Sequence, residues 1–363
     1  MTLRTRLGNL GNLLDESPEQ CDHLLLNSPV LTMAEEARLR EWLGGRAAVI
    51  DITYPVDKGA DGFQQAIERI ERESEEAVRG GAEHLILDDR NTSIERMALP
   101  SVLAVGAVHT HLVRRQLRTF ASINLLSGEC LDVHHFAVLI GVGATTVTPW
   151  LAETSLRDRH ERGLFKGMSL ETVIGNYRTA IENGLLKIMS KMGISVLASY
   201  RGGYNFESLG LSRSLVSQYF PPMTSRISGL GLTGIFTQIR ALHQQAWSER
   251  QAVLPVGGFF RFRKSGESHA FDANVIHTMQ RACDTGSYDA WKAYSDGVAK
   301  SGPVNLRDLL DFVPQYDPTD TDQVQSITSI RKKLVSPGIS LGALSPEAHE
   351  ALAIAMNRLG GRS

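Results

Sequence analysis

Residues 47–52 read AAVIDI and residues 84–87 read HLIL, two short and nearly unbroken apolar runs. A strand with one wet face alternates, so runs of this kind belong to strands covered on both faces. Between them Phe63, Ala66, Ile67, Ile70, Ala77 and Val78 recur at helical spacing, with Glu and Arg on the other positions. Asp61 is placed to cap that helix and Gly80-Gly81 to end it. Strand, amphipathic helix, strand predicts a parallel βα unit.

Outward from this unit the pattern repeats. Residues 99–117 read as a helix, 120–126 as a strand, 132–140 as a helix, 144–147 as extended, 170–192 as a long helix and 195–198 as a fifth strand. The fold class is therefore α/β, with parallel βα repeats and right-handed crossovers, arranged as an open sheet or an incomplete barrel. Residues 1–30 read as loop, broken by Gly8, Gly11 and Pro18. Beyond Leu211 prolines and glycines punctuate short helices, and residues 313–323 (VPQYDPTDTDQ) read as a polar linker. A short helix is expected over 325–334, then a strand and turn over 339–345, then a helix opening at Pro346 with Ser345 as its cap. That last βα unit has nothing to pack on, so a truncated polypeptide is expected.

Hydrophobic residues make up 42% and charged residues 21%, ordinary globular values, and the formal net charge is −2 with no long run of one sign. Neither nucleic acid nor an anionic membrane has an electrostatic footprint here. No apolar run reaches the roughly 18 residues of a spanning helix, and the N-terminus has no signal-peptide core. Cys21, Cys130 and Cys283 are scattered without a C-x-x-C pair, which argues for a reducing, cytoplasmic setting and against a disulfide framework or a local zinc or iron–sulfur site.

Candidate sites follow from strand ends. In parallel βα folds the C-terminal ends of strands carry function. Asp88, Asp89 and Arg90 take that place, with Thr53, Asn124, Thr146, Thr148, Ser199, Tyr200 and Arg201 in similar ones. They would make one polar rim, or else cap helices and pair with one another. His109 and His111 lie two apart on a helix, and His134 and His135 are adjacent, so neither pair shares a face for a metal. Lys187 and Lys191 read as a solvated helix face. Gly229–Gly234 (GLGLTG) matches G-x-G-x-x-G, but the dinucleotide fingerprint needs a strand directly before it and a βα unit after it. Neither is expected here, so a turn is the reading.

Longer motifs add a resemblance. NYRTAIENGLLKIMSKMGISVLASYRGGYNFESLGL (176–211), LILDDRN (85–91), LPSVLAVGAVHTHLVRRQLRTFASINLLSGE (99–129) and DVHHFAVLIGVGATTVTPWLAE (132–153) resemble the central domain of the glutamate synthase large subunit. GESHAFDANVIHTMQRA (266–282) and NLRDLLDF (305–312) continue it in the same order, and ISLGALSPEAHEALAIAMNRLGG (339–361) resembles the opening of the flavin-binding domain. Two places depart from the family's pattern: Gly338-Ile339 before the S-x-G-A-L-S turn, and Gly203–Phe206 after the S-Y-R-G stretch.

The resemblance implies three segments. Residues 1–22 are a linker from an amidotransferase domain that is missing, 23–330 the central, connecting domain, and 331–363 the truncated start of a (β/α)8 FMN barrel. The family enzyme makes L-glutamate from L-glutamine and 2-oxoglutarate, passing ammonia through an internal tunnel, with FMN and an iron–sulfur cluster. Ser340 and Gly342 would hold one edge of the FMN site, with no catalytic or metal-ligating residue in this chain and no cofactor expected bound by it alone. The implied partners are the missing amidotransferase and FMN-barrel portions and the small, electron-input subunit. Competing readings are a stand-alone α/β scaffold or binding protein derived from that domain, and a small enzyme built on Asp89, Arg90 and Arg201. The residues do not choose among NADPH, NADH and ferredoxin as donor.

Overall fold

A computed structural model describes residues 1–248, 256–258 and 261–363. The chain divides into two compact units, Met1–Ala252 and Val253–Ser363.

The first unit opens with two short antiparallel strands, β1 (Thr5–Leu7) and β2 (Leu24–Leu26), where loop was expected. Helix α1 (Met33–Leu43) follows, closed at its start by a capping box between Thr32 and Glu35. Strand β3 (Ala47–Asp51) leads almost directly into β4 (Thr53–Pro55). Helix α2 (Gly59–Arg79) buries Phe63, Ala66, Ile67, Ile70 and Val78, the face read from sequence. Asp61 does not cap it. A 3-10 turn at Val56–Lys58 runs straight into the helix, which leaves Asp61 inside the first turn, where its charge suits the helix dipole. Then come β5 (His84–Asp88), β6 (Arg96–Ala98), α3 (Ser101–Arg114), β7 (Ser122–Leu126), α4 (Val133–Gly141) and β8 (Thr146–Thr148).

Strands β3, β5, β7 and β8 pair in that order, all parallel, with α2, α3 and α4 as the crossovers. The α/β class with a parallel sheet holds. The ladder is that of a sheet: no pairing joins β3 to the far edge among the described residues, so the barrel form of the expectation is not seen. Its core includes Leu85, Leu87, Leu125, Ile123 and Val147, each fully buried. Burying one such side chain is worth about 1.5–3 kcal/mol against leaving it exposed.

The fifth member of the sheet is not residues 195–198. Val30 takes the free edge of β8: Leu31 N–H donates to Val147 O at 3.0 Å and Val147 N–H to Pro29 O at 2.8 Å. Val196 instead forms a bridge with Thr2, and α7 (Leu197–Tyr200) is a single helical turn. Before it run α5 (Trp150–Glu161) and the long α6 (Leu170–Lys191), capped by Ser169. After it, β9 (Glu207–Leu211), α8 (Arg213–Tyr219), β10 (Thr224–Leu230) and α9 (Leu232–Ala246) complete the unit, with β9 and β10 parallel. Phe220 and Phe206 reach back onto this framework where helices carry glycine. A Cβ on Gly106 of α3 would lie 2.1 Å from Phe220 Cε1.

The second unit holds α10 (Ala273–Thr285) packed on α11 (Tyr288–Lys300), then α12 (Ile327–Arg331) and α13 (Pro346–Leu359). Residues 313–323 carry no helix or strand and are exposed. Ser345 caps α13 with Pro346 in its first turn, and Gly360 ends it with a φ of 75°. The strand expected within 339–345 is absent. Ala343 N–H donates to Ser340 O at 2.9 Å to form a turn, and no ladder runs along these residues to hold them extended.

Gly106→Ala should destabilise the first unit by about 1–3 kcal/mol through overpacking against Phe220. The check is the urea midpoint. Pairing it with Phe220→Leu should recover part of the loss, and an unchanged midpoint in the single variant would remove the ring contact as its cause.

Candidate functional site

The C-terminal ends of the parallel strands gather carboxylates and guanidinium groups. Asp51, at the end of β3, accepts from Thr53 N (2.7 Å) and Thr53 Oγ1 (2.6 Å) on one oxygen and from Asn91 Nδ2 and Arg96 Nη2 (both 3.1 Å) on the other. Arg69 of α2 donates to the Asp51 and Thr53 carbonyls at 2.9 and 3.0 Å. Burial pushes the Asp51 carboxyl up, but the Thr53, Asn91 and Arg96 interactions outweigh it and hold the group below its ordinary value. Next along the rim, Arg90 returns to Asp88 through Nε and Nη2, the closer contact being 2.6 Å. Beneath them Glu36 of α1 is 1% exposed; it pairs with Arg40 at 3.0 Å and feels the charge of Arg90, yet burial raises its carboxyl.

Asp89 is the rim's most enclosed acid, at 3% exposure. Its oxygens accept from Gly128 N at 2.7 Å and from the Trp150 indole Nε1 at 2.5 Å. Burial pushes its pKa up to about 6, against the pull of those two bonds, and the charges of Glu129 and Asp88 push the same way. One carboxylate thus fastens the loop after β5 to the loop after β7 and to the first residue of α5. Glu129 does similar work nearby, accepting from Ser101 N at 2.7 Å at the start of α3. A cleft of about 300 Å³ opens beside it, lined by Ser101, Glu129, Cys130, His135 and Leu139 among others. Burial raises the Cys130 thiol, which keeps it protonated and a poor nucleophile.

Not all of the expected rim assembles. Thr53, Asp88, Asp89 and Arg90 do stand at strand ends. Asn124 and Thr146 are internal to β7 and β8 and bond each other at 2.6 Å, with the Asn124 Nδ2 buried and unpartnered. Thr148 ends β8 with its hydroxyl buried and unpartnered. Tyr200 donates to Ala137 O of α4 at 3.0 Å. Ser199 lies beside it in the single turn of α7.

Arg201 lies at the opposite, N-terminal end of the sheet. It sits there with His109 and Arg118, whose guanidinium donates to Ala121 O (2.6 Å) and Gly143 O (2.9 Å). A closed site of Asp89, Arg90 and Arg201 is therefore not built, because the residues preceding β7 and β8 and those following β5 stand a strand's length apart.

The basic cluster at that end was not read from sequence, since Arg201 lies far along the chain from His109 and Arg118 and no local period joins them. Arg118 Nε donates to His109 Nδ1 at 3.0 Å, which requires a neutral imidazole, and burial holds His109 down to about 3. Gly143, with φ 125°, makes room: a Cβ there would lie 2.3 Å from His109 Nδ1. Two of the other histidines singled out from sequence have structural partners. His111 faces Glu75 at 2.7 Å, and His135 Nδ1 accepts from Leu131 N and Asp132 N at 3.2 Å. Among the described residues no group of three or more His, Cys, Asp or Glu could hold a metal ion, and no helix is long and apolar enough to cross a membrane.

The GLGLTG stretch is not the plain turn expected. β10 ends at Leu230, and α9 starts at Leu232 with Gly231 as its cap. Gly229 serves the strand pairing, because a Cβ there would meet Gly210 O at 2.2 Å. β10 pairs only with β9 among the described residues, so the sheet a dinucleotide fold needs is lacking. Ser340 and Gly342, expected at a flavin edge, are both exposed; Gly342 N donates to Ser340 Oγ at 3.3 Å.

Asp89 sets a pH signature. An acid raised from about 3.9 in the unfolded chain to about 6 when folded favours the folded state fully below pH 4 and loses that contribution as pH rises through 6. Asp89→Asn removes the titration. The stability difference, wild type minus variant, should therefore fall by on the order of 2 kcal/mol between pH 4 and 7. Denaturant curves across that range check it, and a flat difference would contradict the burial of this acid.

Comparison with known proteins matches residues 1–212 to the glutamate synthase central domain and residues 269–363 to a conserved region in glutamate synthase. The glutamate synthase [NADPH] large chain of Azospirillum brasilense is 55% identical over 363 residues, covering 100% of this chain and 24% of that protein. The ferredoxin-dependent glutamate synthase of Pyropia yezoensis is 37% identical over 380 residues, with 100% and 24% covered. The glutamate synthase [NADH] of Schizosaccharomyces pombe is 36% identical over 379 residues, with 100% and 18% covered. The chain thus spans about a quarter or less of the length of these relatives. The central-domain match takes in more than half of the 363 residues, and the chain belongs to the glutamate synthase family.

Proposed function

We propose that this chain supplies the connecting part of a glutamate synthase, the enzyme that makes L-glutamate from L-glutamine and 2-oxoglutarate in ammonia assimilation. On this reading residues 1–22 lead from an amidotransferase portion, 23–330 form the connecting domain, and 331–363 begin the FMN-binding portion. The remaining portions of the enzyme, and an electron-input subunit, are its partners, and the cytoplasm is its compartment. Relatives named for NADPH, ferredoxin and NADH all match, so the donor is set by residues elsewhere.

One observation carries this reading. The strand-end groups that a free-standing enzyme would use are bonded to one another. Asp88 is engaged by Arg90, Asp51 by Thr53, Asn91 and Arg96, and Asp89 by Gly128 and Trp150. Such a set fixes loops and presents no nucleophile–base pair. Catalysis then requires polypeptide outside this chain. FMN and an iron–sulfur cluster would supply the redox chemistry there. Ser340 and Gly342 would contribute a single edge to the flavin site, and one βα loop of eight does not hold a flavin.

The test is a titration of the purified chain with FMN, followed by flavin absorbance and fluorescence, with turnover assayed on glutamine and 2-oxoglutarate. No stoichiometric binding and no turnover are expected. Stoichiometric binding would mean that the chain encloses a cofactor site of its own, and would overturn the connecting-domain reading.

A further inference from the structure

The stretch SGPVNLRDLLDFVPQY, residues 301–316, leaves its large apolar side chains in water. Leu306 is 85% exposed, Leu309 68%, Leu310 78%, Phe312 97%, Val313 82% and Tyr316 88%. A run this dense marks an interaction surface, whereas single exposed apolar residues are ordinary.

The run is also shaped. Leu306–Leu309 form a 3-10 turn closed by a capping box between Asn305 and Asp308. Asp308 Oδ2 accepts from Val304 N at 3.0 Å and from Asn305 N at 2.8 Å. Those bonds hold the Asp308 carboxyl below its ordinary value. Leu306 and Leu309 are therefore presented by fixed backbone, which lowers the ordering cost of docking.

The charge around it is predominantly negative. From residue 304 to residue 330 the chain carries Asp308, Asp311, Asp317, Asp320 and Asp322 against Arg307 alone, which lies 3.8 Å from Asp308. Two such straps repel one another, which disfavours a second copy as the cover. The Azospirillum brasilense relative has only 24% of its length matched here, so ample polypeptide lies outside this chain to provide one.

We propose that residues 304–316 are a docking strap for the part of the glutamate synthase polypeptide outside this chain, received in an apolar cleft with a basic rim. The proposal rests on the connecting-domain reading.

The test uses an intact enzyme: the A. brasilense large chain with its matched quarter replaced by these 363 residues. Chymotrypsin cuts after Leu310, Phe312 and Tyr316. These sites should be cleaved at least tenfold more slowly in the chimera than in the free chain. Phe312→Asp with Leu310→Asp removes two of those sites and should restore cleavage after Tyr316 in the chimera. The same pair should leave the melting of the free chain unchanged, since nothing covers those side chains there. Asp320→Lys with Asp322→Lys should speed cleavage at least threefold by opposing the basic rim.

Equal cleavage in chimera and free chain, with turnover intact, would overturn the strap alone. A chimera without turnover would overturn the connecting-domain reading and the strap with it. A free chain that dimerises with rising concentration and protects these sites would assign the strap to a second copy.

Discussion

The Asp89 carboxylate, closed between the Gly128 amide and the Trp150 indole, fixes the working end of the sheet. Hydrogen bonds to an ionised acceptor are stronger than neutral ones, and this one spans three connections at once. Without it the loops after β5 and β7 and the start of α5 would each have to find their positions through local contacts. Burial makes the arrangement conditional, since removing either donor leaves an acid whose charge has too few partners. The neighbouring pairs, Asp88 with Arg90 and Asp51 with Arg96, are more exposed, and pairs of that kind contribute little on their own. Their value is geometric, turning strand ends that often serve catalysis into anchors for loops.

The opposite end of the sheet is built differently. Arg118 reaches backbone carbonyls and a neutral imidazole, with no carboxylate among these partners. Positive charge held by dipoles alone needs exact seating, and Gly143 gives His109 that room. The sheet is thus pinned by acids at one end and by a guanidinium at the other, with an apolar ladder between them.

Local pattern was legible in the βα units of the sheet. The runs at 47–52 and 84–87 became β3 and β5, and the period between them became the buried face of α2. Pro346 after Ser345 opened α13 as its chemistry dictates. What could not be read was partnership across the chain. Val30 on Val147 and Thr2 on Val196 are single residues with no period to announce them. Residues 195–198 carry strand composition, but the free edge of β8 had already been claimed, and an unpaired segment curled into a helical turn. Arg201 was placed at the wrong end for the same reason, because its address depends on that turn. The exposed row at residues 306–316 contains nothing unusual as text; only its burial shows that it lacks a cover.

The pairing of residues 29–31 with β8 also imposes an order in time. A ribosome releases the N-terminal segment long before residues 146–148 exist, so the segment emerges with no edge to join. Until β8 has formed and docked on β7, residues 29–31 have no edge of it to pair with, and β8 in turn stays open until they return. Closing so long a loop is slow compared with forming the βα units inside it. The outer edge of the sheet is thus closed by a piece of chain synthesised well before the strand it joins.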